Sequence, residues 1–104
     1  MPLHLRIIPV LLSAGLAGQA MAAGLPDEGR KIAEIWCATC HQVSDDQATA
    51  NTEAPAFAAV AEKYPGDDGL AALAAFLADP HPVMPDMSLT RREIADLVAY
   101  IGSL

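Results

Sequence analysis

Cysteine occurs only twice in this chain, at Cys37 and Cys40, and His41 follows the second directly. On a helix, positions i, i+3 and i+4 fall within an arc of about 100° on one face, so both thiols and the imidazole can point at one flat object. The spacing C-x-x-C-H is the attachment pattern of a c-type haem, in which two thiols add to the haem vinyl groups and the imidazole ligates iron. Three other chemistries use the same residue types. A structural zinc site needs a second pair of ligands, and the remaining histidines, His4 and His81, lie near the start of the chain and in a distant proline-rich stretch. A thioredoxin-like redox pair needs a βαβ setting, whereas the patterns here are helical. A short-loop disulfide is the third, favoured by an exported setting.

Residues 1 to about 22 have the composition of a targeting segment. His4 and Arg6 make a short basic start, Ile7 to Gly18 is apolar with one serine, and Ala20-Met21-Ala22 is a small-x-small cleavage site. The apolar run is about a dozen residues against the roughly 20 that span a bilayer, so an uncleaved anchor is the weaker alternative. The expectation is a cleaved signal peptide over 1–22 and export to a bacterial-type periplasm, leaving one domain over 23–104. A domain of roughly 80 residues buries only somewhat over 60% of its unfolded surface and needs a staple. A covalently held haem would provide one.

The chain carries 6 basic and 13 acidic residues, a formal charge of −7. Removing the leader takes away only Arg6, which leaves five basic against thirteen acidic residues, or −8. Such a charge argues against nucleic acid and anionic membranes as partners and for a basic docking patch on a redox protein. Acidity that merely solubilises is the competing reading.

Along the mature region, Asp27 opens a helix with acid in its first turn, and Ile32, Ile35 and Trp36 form an apolar stripe leading into the cysteines. Trp36 is expected to pack on the domain or on the haem edge. Residues 42–53 are polar and aperiodic, a loop. Ala56 to Lys63 can form a short helix with Phe57, Val60 and Ala61 on one side. After Pro65-Gly66, Asp67 or Asp68 can cap a helix whose buried face is Leu70, Leu73, Ala74 and Leu77. Asp79 to Ser88 holds Pro80, Pro82 and Pro85 and cannot be a regular helix. Thr90 and Glu93 fit a capping box for a last helix with Ile94, Leu97, Val98 and Ile101 along one side and Tyr100 on its flank. No alternating β pattern of any length is present.

With these residues in hand, the chain resembles the small class I c-type cytochromes over essentially all of its mature region. The haem motif, Met84-Pro85 in a proline-rich loop, and the closing helix with Leu97 and Tyr100 carry the resemblance. It implies an all-α cytochrome c fold, three to four helices wrapped around one covalent haem c. It makes Cys37 and Cys40 the thioether anchors, His41 the proximal iron ligand and Met84 the distal one, with Met87 and His81 as alternatives for the distal place. Gly29 and Tyr100 match the family's close crossing of first and last helices, and Pro55 matches the carbonyl that accepts from the proximal histidine. The chain departs from the family at Ala33, where an aromatic is usual. The function implied is one-electron carriage in the periplasm, not enzymatic turnover. The same fold also serves as a haem c subunit inside a dehydrogenase or oxidase complex, and a haem enzyme or gas sensor with an open sixth iron site is a third, remoter reading.

Overall fold

The computed structural model describes residues 24–49, 51–80 and 83–104, and it is helical with no strand among them. Four helices are described: α1 (Pro26–Ile32), continued by a π-helical turn (Ala33–Cys37), then α2 (Phe57–Lys63), α3 (Gly66–Ala78) and α4 (Arg91–Gly102). The leader segment and His81 fall outside the described residues.

Helix α1 starts one residue earlier than Asp27, because Pro26 occupies the first turn, where its fixed φ suits a helix and its missing N–H costs nothing. Asp27 and Glu28 stand in the first turn and Arg30 and Lys31 in the last, both favourable to the helix dipole. The helix then widens: the Ala38 N–H donates to the Ala33 carbonyl at 3.0 Å, an i to i−5 bond. This widening overturns the expected stripe. Its inward line is Gly29, Ala33 and Cys37, all buried, while Ile35 and Trp36 are 67% and 50% exposed.

Helices α1 and α4 cross closely at Gly29. A Cβ there would run into the Asp96 carbonyl oxygen and come within 2.8 Å of the Tyr100 Cβ, so a hydrogen is all that fits. Ala33, fully buried, keeps the next turn equally slim where the family uses an aromatic. The last helix is held at its start by the expected capping box: Thr90 Oγ1 accepts from the Glu93 N–H at 3.0 Å, and Glu93 Oε1 accepts from the Thr90 N–H at 2.8 Å.

Helix α3 begins at Gly66, whose φ of +70° is a left-handed conformation that favours glycine. Pro65 is its N-cap residue, and no side chain caps it; Asp67 and Asp68 sit inside the first turn rather than at the cap. Their charge still meets the positive end of the helix dipole. Leu73 and Leu77 of α3, Phe57 of α2, and Leu97, Val98, Tyr100 and Ile101 of α4 close the core around Cys37 and Val43.

Candidate haem-binding site

The site grows from the end of the π-helical turn. The Cys37 carbonyl accepts from the N–H groups of Cys40 at 3.2 Å and His41 at 3.0 Å, which folds the C-x-x-C-H stretch into a compact turn. A helix ending here leaves carbonyls without partners inside the helix, and the following loop supplies them. The carbonyls of five successive residues each receive a different donor: Asn51 Nδ2 on Thr39, the Ala54 N–H on Cys40, Gln47 Nε2 on His41, the Phe57 N–H on Gln42, and the Tyr100 hydroxyl on Val43. The polar loop that sequence alone leaves shapeless is therefore a cradle for the motif.

His41 Nδ1 lies 2.5 Å from the Pro55 carbonyl oxygen. A carbonyl only accepts, so Nδ1 is the donor, and it is Nε2 that is left to face a metal. The Phe57 ring stands 5.1 Å from the imidazole at 56°, a tilted contact that limits rotation of the ring. Pro55 takes the role that the family resemblance implies, and Phe57 adds a contact that the resemblance does not imply. Its signal in the sequence is its place two residues beyond Pro55.

Cys37, His41 and Met84 line one strongly apolar cavity, closed by Phe57, Leu73, Phe76, Leu77, Leu97 and Ile101 from three helices. Cys40, half-buried, lies on the same turn. Met87 and Cys40 are not among the residues lining this cavity. Burial pushes the Cys37 thiol up to about 11, so it stays neutral at physiological pH. The two cysteines do not pair with each other as a disulfide, and among the described residues no group of three or more His, Cys, Asp and Glu converges to hold a metal ion. The donor set fits a haem: two thiols on one turn, an imidazole with Nδ1 tied back to the Pro55 carbonyl, a thioether, and apolar walls. A larger concavity, lined by Arg30, Asp46 and Tyr100 among others, contains none of these donors.

One polar residue of the crossing is not apparent in the apolar pattern. Asp96 is 6% exposed; its Oδ1 accepts from the Leu25 N–H at 2.8 Å and lies 3.6 Å from Arg92 Nε. It stands one turn before Tyr100 on the inner face of α4, so its position on the helical wheel was the available signal. It ties the start of the domain to its last helix.

The fold and site define a small all-α domain built to hold a haem for electron transfer. The cytochrome c family matches residues 26–104. Over 104 residues the chain is 43% identical to cytochrome c-552 of Bradyrhizobium diazoefficiens, an alignment that covers 100% of this chain and 98% of that protein. No solved structure matches. The chain belongs to the cytochrome c family; it binds haem c covalently and is an electron-transfer protein rather than an enzyme.

Proposed function

We propose that this protein is a periplasmic one-electron carrier, exported through a signal peptide over residues 1–22 that is then cleaved, with residues 23–104 as the working domain. Cys37 and Cys40 are its thioether anchors, and His41 and Met84 its two axial iron ligands. The observation that carries the ligand reading is that Cys37, His41 and Met84 share one apolar cavity, which Met87 does not line. The haem supplies a one-electron couple; the protein sets its potential, its burial and its docking surface. His41 is held in the ligating tautomer by Pro55. A thioether is a neutral, soft ligand that holds both oxidation states and raises the potential relative to a second histidine. With both axial places taken by side chains, substrate has no ready access to the metal, which favours carriage over turnover. Among the described residues no helix is long and apolar enough to cross a membrane.

The test compares Met84→Ala with Met87→Ala in holoprotein. Met84→Ala abolishes the ferric sulfur-to-iron charge-transfer band, lowers the reduction potential and lets ferrous iron bind carbon monoxide readily. Met87→Ala keeps the band and the wild-type resistance to carbon monoxide. The opposite pattern would assign the distal place to Met87, and a wild-type protein that binds carbon monoxide freely would defeat the carrier reading.

A further inference from the structure

Gln47 uses every hydrogen-bonding group of its side-chain amide on the loop that follows His41. Its Oε1 accepts from the Val43 N–H at 2.7 Å, and its Nε2 donates to the carbonyls of His41 at 3.3 Å and Thr49 at 2.9 Å. The amide fits in only one orientation, since exchanging O and N would set donors against a donor and an acceptor against two acceptors. A single half-buried side chain thus clamps the residues on both sides of Gln42.

The clamp reaches the imidazole by two routes. The first is direct: the His41 N–H is held by Cys37 and its carbonyl by Gln47, so both peptide groups flanking its Cα are fixed. The second runs through Gln42, whose carbonyl accepts from the Phe57 N–H at 2.9 Å. Phe57 in turn lays its ring against His41, and Pro55, the acceptor for His41 Nδ1, is two residues before it. A shift of the 42–43 backbone therefore moves both the ring that flanks the imidazole and the carbonyl that fixes its tautomer.

We propose that Gln47 is a positioning residue for the proximal side of the haem, setting the His41 to Pro55 hydrogen bond through the 41–43 backbone. The proposal rests on the reading of His41 as the iron ligand. A ligating histidine is tuned by the group that accepts from its other nitrogen, so loosening that bond changes the iron as well as the fold.

The test is made on holoprotein by proton NMR and redox titration. Gln47→Ala removes all three bonds; Gln47→Glu keeps an oxygen for Val43 but offers no donor to His41 or Thr49. Both variants should exchange the His41 Nδ1 proton about tenfold faster or more, as expected when bonds that hold a local structure closed are lost, and both should shift the reduction potential. Thr90→Ala, which removes the α4 cap away from the motif, should lower stability while leaving exchange and potential as in wild type. Wild-type exchange and potential in the Gln47 variants, with or without a lower Tm, would overturn the proposal and leave Gln47 a stabilising residue only. Should the alanine variant not accumulate as holoprotein, the glutamate variant decides alone. Absence of any hyperfine-shifted His41 proton in the wild-type spectrum would instead refute the ligand reading beneath it.

Discussion

The Tyr100 hydroxyl donates to the Val43 carbonyl at 2.6 Å across 57 residues of sequence, and the bond is buried. It pins the loop after the haem motif to the last helix at the point where α4 crosses α1. Burial also raises the phenol above its ordinary range, so it remains a protonated donor at physiological pH. Tyr100→Phe keeps the ring and strands a buried carbonyl, which costs about 1–3 kcal/mol. Guanidinium unfolding followed by the haem absorbance should show a lower midpoint with an unchanged slope. An unchanged midpoint would mean that water replaces the hydroxyl.

Gly29→Ala tests the crossing itself. The new methyl meets the Asp96 carbonyl, which is backbone and cannot swing aside, as well as the Tyr100 Cβ. The helices must separate, at a cost of about 3 kcal/mol. The expected outcome is a large fall in Tm with much less holoprotein; a variant of wild-type stability would show that the helices slide apart freely.

A pH dependence follows from the pair that anchors the acidic loop to α1. Arg30 Nη2 lies 2.8 and 3.0 Å from the two carboxylate oxygens of Asp46, and Arg30 Nε lies 3.0 Å from Glu34. A hydrogen bond from Ser44, then those from Arg30, hold the Asp46 carboxyl below its ordinary value of 3.8. Because the folded state favours the charged form, Asp46 contributes stability above that value and loses it as pH falls through the lower folded value. Asp46→Asn should therefore be slightly less stable than wild type at neutral pH, an effect kept small by solvent screening. The two unfolding curves should converge in acid below pH 3.8. A gap that persists there would belong to packing rather than charge.

The acidic surface offers a second electrostatic prediction. If the net charge of −7 steers a basic redox partner, electron-transfer rates measured by stopped flow should fall as salt rises, and a basic partner should react faster than an acidic one. Rates that stay flat or rise across the salt series would favour an apolar docking contact instead. The exposed Ile35 and Trp36, next to Cys37, would then be the first residues to substitute.

Much of this architecture was legible from local pattern. Cys37, Cys40 and His41 lie within five successive residues, so the motif is legible locally; the helix expected beneath it ends at Cys37, and a turn closed on the Cys37 carbonyl carries Cys40 and His41. The capping box of Thr90 and Glu93 and the apolar line of Leu97, Val98 and Ile101 are also set by intervals of three and four residues, and they stand in the structure as expected. So does Pro55 as acceptor for His41, though there the family resemblance supplied the pairing.

What local pattern could not decide were the choices made by contacts between distant residues. Ile35 and Trp36 are apolar and helically spaced from Ile32, yet the π-helical turn carries them outward because Gly29, Ala33 and Cys37 must face α4. Asp96 is an acidic residue buried where the Leu25 N–H, 71 residues away, needs an acceptor. The stretch from Gln42 to Glu53 has no period to read, and its order comes from carbonyls of the haem motif that only meet Asn51, Ala54, Gln47, Phe57 and Tyr100 once the chain has closed. Periodicity reports which face of an element is apolar. Only the tertiary structure decides which buried polar groups satisfy one another, because each bond needs two partners and the sequence displays them one at a time.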